Sequence, residues 1–293
     1  MRVTTFMNLV AALILISSNY ITIVRAESDC GYLEERLLYN TKTEAEPTEY
    51  VWMGLLLDLR GAKQELSPSA RRINCNVIIV SGQHVLVPNS CLKRFNNQPA
   101  SIGVLLGIWN QKHNSSEEFI CNDKGFCVFA PVPYQVTEIK VNPLADKDTG
   151  DNDVALLKLA EPIKMTIYAK PICLLARNEL PSLTDRNFQY GGFEGLGSLK
   201  GKGDGLVVSR NLCNGVPAAP PENQFCAFPE KRTPFYLGTA LMGLNIENDV
   251  PRSFYLIGML MRITTYKTGL TTFVFQDMRK SRNWILENIS TLE

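Results

Sequence analysis

Eight cysteines constrain this chain more than any other feature, because all of them follow an apolar leader. They are Cys30, Cys75, Cys91, Cys121, Cys127, Cys173, Cys213 and Cys226. In the leader, Arg2 precedes the apolar run Leu9–Ile16, and Val24-Arg25-Ala26 places small residues where a signal peptidase reads. Polar Ser17, Ser18, Asn19 and Thr22 end the run short of the roughly 20 residues that a membrane span needs. Residues 1–26 therefore read as a secretory signal peptide removed after Ala26, no later stretch is long enough to span a bilayer, and the product is expected outside the cell. An even cysteine count in an exported chain predicts four disulfides, although eight cysteines allow 105 pairings and composition does not choose among them. Zinc needs paired short spacings, and only Cys121 and Cys127 lie close, with no histidine nearby.

Charge and histidine content remove further classes. The 293 residues carry 30 Lys plus Arg against 29 Asp plus Glu. The leader holds Arg2 and Arg25, so 28 bases face 29 acids once it is gone. Such a balance gives no electrostatic case for nucleic acid. The two histidines, His84 and His113, exclude a His-rich metal site and any mechanism that needs several imidazoles. No cofactor and no metal is expected.

Past the leader the signals are short and β-like. Val51–Leu59, Val77–Val87, Ile102–Ile108, Gln135–Val141, Val154–Leu159, Phe254–Ile263 and Thr271–Phe275 are rich in Val, Ile, Leu and aromatics, punctuated by Gly, Pro, Asn and Asp. This spacing predicts an all-β barrel or sandwich. Ser281–Ile289 differs: Ile285, Asn288 and Ile289 fall at helical spacing beside Trp284, which predicts a short C-terminal amphipathic helix. No linker, charge block or internal repeat divides the chain.

Several segments resemble, in order, the secreted trypsin/chymotrypsin-like serine proteases (peptidase S1). Ser81–Cys91 is similar to the strand and turn ending in Ala-Ala-His-Cys. Asp151–Leu159 is similar to the Asp-Ile-Ala-Leu-Leu strand, and Lys170-Pro171-Ile172-Cys173-Leu174 continues the pattern. Asn223–Ala227 resembles the stretch before the nucleophile loop, and Tyr255–Gly258 with Trp284-Ile285 resembles the last strands and helix. The resemblance implies two six-stranded antiparallel β-barrels side by side, with a short C-terminal α-helix. It implies the bridges Cys30–Cys173, Cys75–Cys91 and Cys213–Cys226. Cys121–Cys127 resembles an extra bridge of arthropod clip-type members, although residues 27–29 leave no room for a clip domain before Cys30. The implied division is a light-chain-like segment at 27–38 and a protease-like domain at 39–293.

The chemistry of the family requires a hydroxyl nucleophile, an imidazole base and an acid that orients the base. By resemblance, Asp153 takes the acid position. Ser90, before Cys91, takes the base position, and a hydroxyl cannot relieve a nucleophile of its proton near neutral pH. Phe235-Tyr236-Leu237-Gly238 takes the place of Gly-Asp-Ser-Gly, so Leu237 stands for the nucleophile. Phe235 replaces a glycine that shapes the oxyanion hole and is expected to crowd it. Tyr236 replaces the acid that receives a freed N-terminus. No serine occurs from Phe228 to Leu244, in whatever register the loop is read. Lys231 falls at the specificity-acid position, and Met259–Ile263 places bulky side chains where the family has a Gly-rich substrate strand. Tyr39-Asn40-Thr41-Lys42 replaces Ile-Val-Gly-Gly, with Arg36 as a residual cleavage point. His84 and His113 read as structural or solvated.

Weaker patterns read plainly. Asp146–Asp151 is a solvated turn rather than a calcium loop, and Gly195–Gly203 a flexible basic surface loop rather than a phosphate loop. Asn114-Ser115-Ser116 and Asn288-Ile289-Ser290 are glycan acceptor patterns. The expected function is that of a catalytically inactive homologue that binds an extracellular protein (a protease, a zymogen or an inhibitor) and acts as regulator, cofactor or decoy in a proteolytic cascade such as one of innate immunity. The alternatives are an active endopeptidase with a displaced constellation and a pattern-recognition or ligand-binding module.

Overall fold

Apolar runs become strands buried on both faces. A computed structural model describes residues 30–61, 66–67, 69–96, 98–112, 118–121, 127–175, 182–213, 220–230, 234–266 and 269–290. The leader 1–26, His113, Asn114 and Lys231 lie outside the described residues. The first half forms β1 (Met53–Asp58), β2 (Arg71–Ile79), β3 (His84–Pro88), β4 (Ile102–Leu106), β5 (Phe119–Cys121), β6 (Cys127–Phe129), β7 (Val132–Val141) and β8 (Val154–Leu159). Six of them close a barrel in the order β1-β2-β3-β8-β7-β4, while β5 and β6 pair as a separate hairpin. Every residue of β1 is buried, as a strand is when one face fills the barrel and the other packs against the rest of the fold.

The second half forms β9 (Cys173–Leu174), β10 (Asn187–Gly192), β11 (Gly201–Val208), β12 (Gln224–Pro229), β13 (Ala240–Glu247), β14 (Val250–Thr265) and β15 (Thr271–Asp277). The sheet order is β13-β10-β11-β12-β15-β14-β9, and a further β13–β14 pairing closes six of these strands into a ring. β9 alone joins in parallel, along β14. The helices are α1 (Glu35–Leu38), α2 (Arg210–Cys213) and α3 (Met278–Ser290). In α3, Ile285 is fully buried, so the helix docks on the face that the sequence predicts. Two β-barrel-like halves and a C-terminal helix are the expected architecture.

Four disulfides join Cys30–Cys173, Cys75–Cys91, Cys121–Cys127 and Cys213–Cys226. The first ties the N-terminal segment to the body, where Gly31 N–H also donates to Pro171 at 2.7 Å. Aromatic packing joins the halves: Phe254 of β14 lies 5.5 Å from Trp52 and 5.9 Å from Tyr50, between ring centroids.

Two expectations are corrected. The run Val77–Val87 is two strands, because Ser81 Oγ accepts the Gln83 N–H and sits 2.9 Å from His84 Nδ1, closing a turn at Ser81–Gln83. The Gly-rich Gly195–Gly203 stretch is not a flexible basic surface loop. It leads into β11, and both its lysines are buried: Lys200 donates to the Tyr50 carbonyl at 3.2 Å, and Lys202 pairs with Glu49. Residues 43–45 lie against it as a strap, with Ala45 N–H on the Lys200 carbonyl and Lys202 N–H on the Thr43 carbonyl.

Candidate functional site

Three elements converge between the two halves. The 3₁₀ helix Asn89–Phe95 follows β3 and carries Ser90. Asp153 directly precedes β8, and Leu237 directly precedes Gly238, three residues before β13. The Ser90 N–H donates to Asp153 Oδ2 at 3.2 Å, and the Asn89 N–H to the Asp153 carbonyl at 3.1 Å. Ser90 and Asp153 line one cavity of about 270 Å³; Ser90 and Leu237 line an adjoining one of about 550 Å³. The structure thus brings Ser90, Asp153 and Leu237 to one place.

The loop bearing Leu237 is fixed from the opposite barrel. Asn76 N–H donates to the Leu237 carbonyl at 2.7 Å. The buried Asn76 carboxamide accepts from Phe193 N–H at 2.9 Å and donates to Thr239 Oγ1 at 2.9 Å and to the Tyr236 carbonyl at 3.1 Å. Gly238 sits at φ +87° with Asn76 O only 2.2 Å from where a Cβ would be, so the turn admits no side chain there. Thr239 offers no replacement nucleophile. It is fully buried, and its hydroxyl donates to the Tyr236 carbonyl at 2.8 Å while accepting from Asn76.

No imidazole is at hand among the described residues. His84 stands at the start of β3, opposite Lys158 of β8. Pro88 lies four positions further along the strand, roughly 14 Å of rise. Burial holds its imidazole below the usual value, with Lys158 adding to the effect, and its Nε2 is buried without a hydrogen-bond partner.

The flanking positions refine the expectations. Phe235 does not crowd the cleft: its ring is buried in the second half, edge-on to Tyr190 at 5.2 Å, with a Cζ 3.1 Å from where a Cβ on Gly201 would lie. An aromatic ring leaves water for that core, which is the cheaper outcome. In the strand expected to fill the substrate slot, Met259 and Leu260 are fully buried, while Met261 and Arg262 line the Asp153 cavity. The Arg262 Nε and Nη2 are buried without a hydrogen-bond partner. Tyr39 is 78% exposed, so the segment at the expected activation junction lies on the surface. Asn288 lies on α3 and donates its amide to the Trp284 carbonyl at 2.7 Å. Asp146 accepts the Asp148 and Thr149 N–H groups, which hold its carboxyl below the usual range, as in a plain turn.

Sequence reasoning passed over Asn76 and the basic doublets around the cleft, Arg71-Arg72 and Lys93-Arg94. The doublets stood within four residues of Cys75 and Cys91, a signal available in the chain itself.

The family model described as Trypsin matches residues 43–234. CLIP domain-containing serine protease B9 of Anopheles gambiae is 22% identical over 151 residues, 50% of this chain and 35% of that protein. Phenoloxidase-activating factor 3 of Holotrichia diomphalia is 28% identical over 153 residues, 50% of this chain and 40% of that protein. Inactive serine protease PAMR1 of Homo sapiens is 25% identical over 189 residues, 58% of this chain and 25% of that protein. The chain covers 40% or less of the length of each of these relatives. Among the described residues, no helix is long and apolar enough to cross a membrane.

Proposed function

Because the chain belongs to the trypsin family, we propose that it is a secreted member without protease activity that works by holding a protein partner in an extracellular proteolytic cascade. One observation carries the reading. Leu237, which by resemblance stands for the attacking hydroxyl, lines a cavity with Ser90, and Ser90 meets Asp153 with no imidazole beside them among the described residues. Removing the nucleophile or the base from such a triad costs about a million-fold in turnover, and this chain lacks both. The buried Thr239 hydroxyl argues against a displaced nucleophile in the same loop.

The partner class follows by analogy with relatives named as CLIP-domain serine proteases, a phenoloxidase-activating factor and an inactive serine protease. It is a protease, a zymogen or an inhibitor. The division of the chain into a signal peptide at 1–26, a light-chain-like segment at 27–38 and a protease-like domain at 39–293 belongs to the same proposal. So do a lost specificity acid at Lys231 and glycan attachment at Asn114; the engaged amide of Asn288 makes it the poorer acceptor.

The test is steady-state assay of the secreted protein against peptides with Arg, Leu or Phe before the scissile bond, together with capture of cascade proteases from body fluid. Turnover at buffer background with a protease or zymogen retained is the expected result. Specific cleavage abolished by a serine-to-alanine change would overturn it.

A further inference from the structure

We infer that the first barrel carries a second binding site, for a neutral, planar aromatic molecule bearing one hydrogen-bond-accepting oxygen. The site is a hollow of about 290 Å³ between the β5–β6 hairpin, the β4–β7 pair and residues 164–169. It shares no lining residue with the cavities around Ser90, Asp153 and Leu237, so it stands whether or not that cleft is catalytic. The hairpin forms its own two-stranded sheet, closed by Cys121–Cys127. Phe119 faces Phe129 across it, and the Ala130 N–H donates to the Glu118 carbonyl at 2.8 Å, which extends the pairing to residues that line the hollow. On the barrel side, Leu106 of β4 pairs with Val132 of β7. The third wall turns on itself, with the Thr166 N–H on the Ala169 carbonyl at 3.1 Å and the Ala169 N–H on the Thr166 carbonyl at 3.3 Å.

The lining is predominantly apolar and includes Leu106, Phe129, Pro131, Val132, Pro133 and Tyr168. Two of these side chains stay in water: Phe129 is 43% exposed and Val132 39%. Large apolar groups gathered around a hollow, rather than scattered singly, mark a binding surface. Covering them recovers about 25 cal/mol per Å² of apolar area. The shape favours a flat ring. Phe129 lies 4.9 Å from Phe119 and 6.0 Å from Tyr168, between ring centroids, and Pro131 and Pro133 add further ring faces. A planar aromatic occupant packs offset or edge-on against such rings.

Three polar residues select the rest of its chemistry. Tyr134 is buried and lines the hollow, and its hydroxyl accepts the Lys164 N–H at 2.8 Å. The hydroxyl's own proton meets no acceptor among the described residues. Burial holds the phenol above its usual value, so that proton stays in place at neutral pH. A carbonyl or ether oxygen on the occupant supplies the acceptor that a buried donor requires. The lining carries one charge of each sign, Glu118 and Lys164, so the local field favours neither an anion nor a cation and the occupant is neutral. The volume stands at the small end of ligand sites, which suits a molecule of two fused rings.

The experiment titrates the secreted protein with prodan, a neutral naphthalene with one carbonyl. Its emission moves to the blue on leaving water and back toward the red when the carbonyl accepts a hydrogen bond. Saturable one-to-one binding with blue-shifted emission is expected. 2-(Dimethylamino)naphthalene, the same rings without the carbonyl, should displace prodan with an affinity about fivefold to tenfold weaker, as for one net hydrogen bond. In Tyr134→Phe, prodan should weaken by that factor, its emission should move further to the blue, and the two ligands should become equal. Phe129→Ala and Val132→Asp should each weaken prodan about tenfold. Leu196→Ser, at a residue 79% exposed and outside the hollow, should change nothing. Circular dichroism identifies any variant that fails to fold, and the two ligands compared on the parent protein then decide. Absence of saturable binding, equal affinity of the two ligands for the parent, or a preference that survives in Tyr134→Phe would overturn the inference. So would flotation of the protein with phosphatidylcholine vesicles, or capture of a cascade protease that Val132→Asp abolishes, because a lipid surface or a protein would then cover the hollow. Peptide turnover by the same preparation would refute the non-catalytic assignment and leave this site untouched.

Discussion

The Asn76 carboxamide of the first barrel donates to the Thr239 hydroxyl of the second at 2.9 Å, and this bond holds the Leu237 loop in place. Replacing Asn76 with Ala would strand the buried Phe193 N–H and leave Thr239 with one partner fewer. The expected cost is about 3 kcal/mol, the range for an unsatisfied buried donor plus a small cavity. Urea denaturation of Asn76→Ala beside the parent measures it; a loss within about 0.5 kcal/mol would mean that the loop is held by other contacts.

Lys200 predicts a pH dependence. Fully buried, its ammonium is held down to about 7 by desolvation, against a usual value of 10.5. Between these values the unfolded chain keeps a proton that the folded chain has released, so stability rises with pH, by at most ~1.4 kcal/mol per unit. Below about pH 7 both states are protonated and this contribution is flat. Burial raises the Tyr50 phenol well above its usual value, which acts in the opposite sense at still higher pH. Unfolding free energy should therefore climb from about pH 7 to about 9.5, and Lys200→Met should flatten the climb. An unchanged slope in that variant would contradict the assignment.

The disulfides should differ in weight. Cys30–Cys173 spans a sequence separation of 143 and Cys121–Cys127 one of 6. Loop-closure entropy gives about 5 and about 2 kcal/mol respectively. Chemical denaturation of the two double-serine variants should show the larger loss at the Cys30–Cys173 pair. The reverse order would show that the hairpin bridge supports more of the fold than its loop length implies.

Restoring two residues should not restore a protease. With Ser90→His and Leu237→Ser together, the proposed base and nucleophile positions are refilled, but Phe235 stays in the second core and Met261 and Arg262 still line the cavity beside Asp153. Burst and steady-state assays of the double variant should remain at background. Substantial turnover would place the whole defect in the two replaced side chains.

Much of this was legible in the chain, and the exceptions share a cause. Val154–Leu159 reads as a strand and is one, to the residue. The apolar runs around Met53 and Ile102 and the helix around Ile285 were equally plain. β10, β11, β12 and β13 escaped notice. Two of them are written in glycines, which in sequence signal loops. Gly203 has Tyr190 Oη 2.5 Å from where a Cβ would be, and Gly192 has Thr239 Oγ1 at 2.7 Å. There glycine makes room for a large ring or a close barrel contact, and only the fold reveals the neighbour. The same applies to Lys200 and Lys202, whose charges look solvated until Tyr50 and Glu49 are brought against them. Ser90, Asp153 and Leu237 could be named from local pattern, whereas Asn76 could not, because its partners lie more than 100 residues away.

The central claim is that no activated hydroxyl exists in this cleft. Incubation of the secreted protein with a fluorophosphonate probe, read by intact mass and peptide mapping, tests it most directly, with an active trypsin-like enzyme as positive control. The account predicts an unmodified mass under conditions that label the control fully. Stoichiometric phosphonylation, mapped to Ser90 or to any other hydroxyl, would contradict it.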